Sequence, residues 1–263
     1  HDGPGYHLRG RDPLDQPEKF RVIQRLFSAL SPRGRIGVVC TLTEQNHSLF
    51  DIHQYLEQRL GVPTLLSMEG IVSYYSVKSS ASLGPQSPAA RQRMWRNLFS
   101  DMTRALPSGE PLLSRLMTQR EAIRDFFEAL VGARPTTAIG QKCKMDLPES
   151  LSVNLNGEIS TCQNVSGRKE HQIGHLNEYE AVALSTARHW SFDQNCRSCP
   201  VLQFCKGSCM YLMEGEGRKR TCDHHFVFHL SLLMASLHIL TNQKLVAIRG
   251  ERVRELGLTH LEI

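Results

Sequence analysis

Seven of the eight cysteines stand in one ordered pattern whose spacing is that of metal ligands. Cys143 is followed by thirteen residues, Gly157, four residues and Cys162. Cys196, Cys199, Cys205 and Cys209 then come with two, five and three residues between neighbours, and Cys222 closes the set after twelve more. Thiolates grouped this closely hold metal, and the chemistry they serve is zinc binding or iron–sulfur electron transfer. A C-x2-C pair alone is shared by zinc ribbons, redox dithiols and clusters. Seven cysteines in order, with the internal glycine in place, form a far narrower signal.

A [4Fe–4S] cube takes a thiolate at each iron that the protein holds, normally four. A C-x2-C loop wraps one edge of a cube, and distant cysteines arrive from other elements. Seven thiolates fit two cubes, one fully ligated and one held by three cysteines. One iron is then left for a non-cysteine ligand or a substrate atom, and Asp146 and solvent are candidates for it.

The order C-x13-G-x4-C, C-x2-C-x5-C-x3-C, C resembles the SPASM domain at the C-terminus of many radical SAM enzymes, over roughly residues 136–225. The resemblance implies that Cys196, Cys199, Cys205 and Cys222 hold the second auxiliary cluster. It implies Cys143, Cys162 and Cys209 for the first. Many members add a cysteine shortly before the Cys143 position. Here Thr136, Thr137, Ala138, Ile139 and Gly140 stand there, which leaves an open or unusually ligated iron.

A second stretch is similar to the same family. Asp2, Gly3 and Pro4, then His7 and Arg11, resemble its S-x-D-G-P…H-D-x-x-R segment, with Leu8 where Asp is usual. By position, Arg11 meets the carboxylate of S-adenosylmethionine. The C-x3-C-x2-C run that binds the S-adenosylmethionine-cleaving cluster does not occur, and Cys40 is the only cysteine before Cys143. The expectation is a C-terminal portion of a longer enzyme, inactive by itself in starting radical chemistry.

The elements that position these residues read as α/β: a partial β/α barrel followed by a small α+β cysteine-rich domain. Residues Pro17–Leu30 place Phe20, Ile23, Leu26, Phe27 and Leu30 on one helical face. Arg35–Leu42 reads as a buried parallel strand, and Asn46 or Ser48 caps a helix closed by Gly61. Thr64–Met68 is the next strand, giving the helix–strand alternation of a β/α barrel. Ligands of such barrels meet the C-terminal strand ends, which makes Thr41, Thr43, Asn46 and Ser67–Glu69 contacts for S-adenosylmethionine or substrate, or else ordinary strand-end polarity. Cys40 reads as a small core residue.

Two helices follow a Gly/Pro/Ser loop, about Ala89–Leu106 and Glu110–Val131. Leu151–Cys162 reads as a hairpin on an Asn156-Gly157 type I′ turn. Ile173–Leu176, similar to an I-G-x-L segment, leads into a helix from about Glu178 to Trp190. The expected domains are 1–134, the C-terminal part of the barrel; 135–225, the cluster domain; and 226–263, a helical extension.

The net charge of +5 is mild. Arg218-Lys219-Arg220 reads as a solvated face, with attraction to an acidic peptide as the functional alternative. No aromatic-interleaved basic motif points to nucleic acid. The apolar stretch Phe226–Leu240 is shorter than the ~20 residues of a membrane span. His225 and His229 stand four apart, able to share a metal, but without the adjacent glutamate of a zincin pair they read as packing residues. Ligand-like rather than disulfide-like cysteine spacing places the chain in a reducing cytoplasm.

The resemblance implies an oxidoreductase acting on a peptide or protein, with two auxiliary 4Fe–4S clusters, S-adenosylmethionine and an external electron donor. In sulfatase-maturing relatives an Asp follows the cysteine matching Cys162. Gln163 stands here and takes no proton, which points instead to a thioether, a carbon–carbon crosslink or another oxidation. Two alternatives compete. A zinc-binding structural module on Cys196, Cys199, Cys205 and Cys209 leaves Cys143, Cys162 and Cys222 without a role. A two-cluster electron carrier has no use for the α/β half.

Overall fold

Gly37–Thr41 (β1) and Leu65–Glu69 (β2) pair in parallel, with Val38 opposite Leu66 and Thr41 opposite Glu69. A parallel pair requires a crossover, and the helix Leu49–Leu60 (α2) supplies it. The computed structural model describes residues 1, 3–8, 12–30, 32, 36–61, 65–69, 84–105, 117–135, 140–142, 147, 149–162, 169–184, 189–209, 215–243, 245 and 247–260. Its described residues divide into two compact units, and the second comprises those from Pro135 to Lys219. The first holds those up to Arg134 and from Arg220 onward.

Helix α1 spans Pro17–Leu30, the expected bounds. Its apolar face is only partly covered: Phe27 is buried, whereas Leu26 stays 48% exposed. The Arg59 guanidinium lies over the Phe20 ring, 5.3 Å from its centroid, covering one end of that face with a cation rather than with apolar side chains. Helix α2 is closed as its sequence predicts. The Ser48 hydroxyl accepts from the Asp51 N–H at 3.2 Å. Gly61, at φ 70°, ends the helix in the left-handed conformation that glycine tolerates best.

Strand β1 differs from expectation. Val38, Cys40 and Thr41 are buried, but Val39 is 59% exposed, so the strand alternates rather than burying both faces. Cys40 is a core residue, its thiol donating to the His1 carbonyl.

Helix α3 spans Pro88–Ala105 and carries the largest apolar anchor of this unit. Trp95 is 0% exposed, among Met94, Leu98 and Met102, which are also buried. Its indole N–H donates to the Met234 sulfur at 3.1 Å. Helix α4 is described over Met117–Val131; the expected start at Glu110 lies outside the described residues. Its Ile123, Phe126 and Ala129 are buried at the spacing of one helical stripe.

The helix that carries Met234 is longer than its apolar stretch and spans Gly215–Thr241. It is α7, after the short helices Gln194–Arg197 (α5) and Leu202–Cys205 (α6). By length and composition α7 could cross a membrane, but 67% of its apolar window is buried inside the protein, as in a core helix. Ser231 and Ser236 turn their hydroxyls onto the Val227 and Leu232 carbonyls, which lets serine sit in the apolar interior at little cost.

The second unit is built on three antiparallel strands, Ser152–Val153 (β3), Glu158–Ser160 (β4) and Gln172–His175 (β5). The hairpin between β3 and β4 forms where expected, but not on a type I′ turn. Only Gly157 has positive φ, at 85°, and three residues separate the paired Asn154 and Glu158. The Asn154 side chain accepts from the Asn156 and Glu158 N–H groups at 2.9 and 3.0 Å, which stabilises the longer loop.

Where a helix is expected from Glu178 to Trp190, the described residues begin with a short 3-10 segment, Leu176–Ala181, with Glu178 outside helical geometry; residues 185–188 lie outside the described residues. Val182 packs onto Gly174, where an added Cβ would sit 2.6 Å from the valine methyl. That close approach draws the chain back to β5 and ends the helical run.

Candidate metal centre

Four of the seven ligand candidates lie on one run of tight turns in the second unit. Gln194–Arg197 (α5) presents Cys196, and Leu202–Cys205 (α6) ends at Cys205. Asp193 caps α5, its carboxylate accepting from the Asn195 N–H at 2.9 Å. The Cys199 N–H then bonds the Cys196 carbonyl at 3.1 Å, and the Leu202 N–H bonds the Cys199 carbonyl at 3.1 Å. The Ser208 N–H bonds the Cys205 carbonyl at 3.0 Å. Cys196, Cys199 and Cys205 therefore each open a turn.

Between Cys205 and Cys209 three consecutive residues have positive φ: Lys206 at 51°, Gly207 at 81° and Ser208 at 62°. Two of these are not glycine, so the segment holds backbone strain of the kind found at ligand clamps. Gly207 also approaches Trp190 closely; an added Cβ would meet the tryptophan Cβ at 2.7 Å. Trp190, Cys196 and Leu202 form a small apolar cluster with Cys199 packed against it.

The residues fit an iron–sulfur or zinc centre. Cys162, Cys196, Cys199, Cys205, Cys209 and Cys222 are all free of disulfide bonds. The donors are soft thiols, half-buried or buried on strained turns, with apolar cover on one side and a cation at hand. Cys162 follows β4, where the hairpin register sets its place. Cys222 lies on α7 in the first unit. Cys143 and Asp146 lie outside the described residues.

Arg218 is the residue the sequence reading missed. It belongs to the run read as a solvated face, yet its side chain is only 14% exposed. Its Nη2 donates to the Asp193 carboxylate at 3.0 Å and lies 3.5 Å from the Cys196 sulfur. Its Nη1 donates to the Gly207 carbonyl at 3.2 Å. Burial pushes the Asp193 carboxyl up. The Arg218 hydrogen bond and charge, with the Asn195 N–H, outweigh that and hold it below the usual carboxylate range.

In the first unit, the C-terminal end of β1 forms the second candidate region. Thr41 is buried there, opposite Glu69 in the pairing. Thr43 and Asn46 close a local turn: the Thr43 N–H bonds the Asn46 carbonyl at 2.9 Å, and the Asn46 N–H bonds the Thr43 hydroxyl at 3.1 Å. The Thr43 hydroxyl is engaged in that turn. Arg11 lies outside the described residues, as do the side chains of Ser67–Glu69. His225 and His229 are both buried, with ring centroids 5.7 Å apart and edge to face.

His224 was not singled out from sequence, because its neighbours are some 180 residues away in the chain. Neither ring nitrogen completes a hydrogen bond among the described residues. Burial lowers its pKa to about 4, which the Leu42 carbonyl opposes and the His47 ring reinforces. A folded pKa below the unfolded 6.5 means that the unfolded chain binds the extra proton. The stabilising contribution is therefore complete above about pH 6.5 and is lost as pH falls toward 4. Going from pH 7 to pH 5 should cost about 2 kcal/mol through this group alone. Urea unfolding at both values should show that difference between the native chain and His224→Leu; equal pH slopes would contradict it.

No protein-family model and no curated protein matches the chain. Solved structures do. Native anSMEcpe with bound AdoMet and the Kp18Cys peptide matches with a TM-score of 0.57 over 92% of this chain, at 14% identity. In fold, the chain resembles anSMEcpe, a radical SAM/SPASM enzyme. The polyhistidine-tagged form of anSMEcpe with bound AdoMet gives a TM-score of 0.56 over 98% of the chain, again at 14% identity. In both cases 68% of the anSMEcpe chain is covered.

Proposed function

We propose that the chain is the C-terminal portion of a radical SAM/SPASM oxidoreductase that holds two auxiliary 4Fe–4S clusters and modifies a peptide or protein. The observation that carries it is the strained cysteine turn from Cys196 to Cys209, set in a fold like that of anSMEcpe. Cys196, Cys199, Cys205 and Cys222 hold one cluster, and Cys143, Cys162 and Cys209 hold the other. The proposed domains are the barrel part at 1–134, the cluster domain at 135–225 and the extension at 226–263. Arg11 and Thr41 are the proposed contacts for S-adenosylmethionine. A reducing cytoplasm is the proposed setting, with an external one-electron donor.

When bound, the clusters supply one-electron acceptance, or an open iron on which a peptide atom can rest. The chain's own residues do the positioning. Asp193 fixes the start of α5 and so aims Cys196; Gly207 and Ser208 set the direction of Cys209. Trp190 and Leu202 keep water from one side of the thiols. Gln163 follows Cys162 and is no base, so the proposed chemistry on the peptide is crosslinking, thioether formation or oxidation at a site that needs no carboxylate there.

Dithionite reduction of the anaerobically reconstituted chain should give two distinct [4Fe–4S]⁺ resonances by electron paramagnetic resonance; one or none would contradict the two-cluster reading. S-adenosylmethionine added to the same sample should give no 5′-deoxyadenosine above background, because the C-x3-C-x2-C run is absent from these residues. Robust cleavage would overturn the proposed dependence on that motif.

A further inference from the structure

We infer that Arg218 and Asp193 together set the reduction potential of the cluster bound at Cys196, Arg218 raising it and Asp193 lowering it. The inference rests on the proposed clusters and adds to them residues that bind no iron.

Three features make Arg218 more than a surface cation. Its guanidinium is largely enclosed, with the Asp193 side chain 25% exposed beside it. It reaches the Cys196 sulfur at 3.5 Å with the same Nη2 that holds Asp193. Its other nitrogen is spent on the Gly207 carbonyl, inside the strained turn between Cys205 and Cys209. A fork tied at two oxygens keeps its charge fixed beside the sulfur, whereas a lysine would present one mobile point charge.

One-electron reduction adds one negative charge to a cluster and its thiolates, with no proton taken up. An N–H directed at a ligand sulfur, and the positive charge behind it, stabilise that added charge and raise the potential. The Asp193 carboxylate opposes this. It is paired with the Arg218 guanidinium at 3.0 Å and accepts from the Asn195 N–H at 2.9 Å, which fixes it beside Cys196. Removing Arg218 therefore withdraws a cation and also leaves that anion unpaired, so both changes act in the same direction.

An arginine held by a carboxylate beside a cysteine occurs again in the first unit. There Arg252 donates to Asp223, the residue after Cys222, and at 3.2 Å to Glu255.

The test is an anaerobic redox titration of the reconstituted chain and its variants, followed by electron paramagnetic resonance, with iron and sulfide counted in each sample. Arg218→Gln should lower the reduction equilibrium constant of one cluster about tenfold, or about 59 mV for one electron. Arg218→Lys should lower it by about threefold, keeping charge but losing the fork. Asp193→Asn should raise it by about threefold, since asparagine still caps α5 while the negative charge is gone.

A merely structural pair would change iron content and melting temperature without shifts of opposite sign. Unchanged potentials at full iron, or shifts of the same sign for Arg218→Gln and Asp193→Asn, overturn the inference. If Arg218→Gln sheds its iron, opposite signs in Arg218→Lys and Asp193→Asn sustain it, and anything else overturns it. A native chain that holds no iron and sulfide overturns the proposed function and this inference with it.

Discussion

Replacing Cys196 with alanine is expected to remove a whole cluster, about four of about eight irons per chain, rather than a fraction of one. Cys196 is the most buried of the described ligand candidates and sits in the apolar cluster with Trp190 and Leu202. Alanine at this position takes away a thiolate, and the nearby Asp193 carboxylate is already held by Arg218 and the Asn195 N–H. Metal binding to such a domain is also folding free energy, so the loss should lower the melting temperature as well. The measurement is iron and sulfide per chain in Cys196→Ala beside the native protein. Full iron content, with an unchanged melting temperature, would remove Cys196 from the ligand set.

Trp95→Ala should destabilise the first unit by about 3–5 kcal/mol, the largest effect expected of a residue that binds nothing. Trp95 is fully buried on α3, and its N–H finds the Met234 sulfur of α7. Truncation removes the ring, opens a cavity and leaves that sulfur without its donor. Marginal stability makes the loss a large share of the total. Urea unfolding followed by tryptophan-independent circular dichroism measures it, and a change below about 1 kcal/mol would mean that α3 and α7 do not share one core.

What could be read from the residues follows from how local their signals are. Helix α1 carries Pro17 in its first turn, and α2 carries Ser48 and Gly61 at its ends, so their bounds were visible in a few residues. The cysteine spacing is equally local, and it can be read without any fold. The turn at Asn156-Gly157 escaped because the deciding group is the side chain of Asn154, two residues outside the dipeptide. The helix expected from Glu178 failed on a contact between Val182 and Gly174, which no periodicity encodes. Val39 shows the limit of an apolar run: three adjacent apolar residues looked buried on both faces, and one of them faces outward.

Charge was the least legible feature. Arg218-Lys219-Arg220 has the pattern of a solvated face, and nothing in the run distinguishes Arg218 from its neighbours. Its partners, Asp193, Cys196 and Gly207, are 11 to 25 residues away and meet it only once the turns have formed. His224 is hidden for the same reason, its pKa lowered first by burial, with Leu42 opposing and His47 reinforcing from the far end of the chain. Buried titratable and charged groups are defined by enclosure, and enclosure is a property of the fold.

Metal and acid-labile sulfide per chain, measured after anaerobic purification and reconstitution, test the central claim most directly. The account predicts about eight irons with matching sulfide, two cubes on seven cysteines and one further ligand. One or two zinc ions without sulfide would contradict it and make the cysteine turn a structural zinc site.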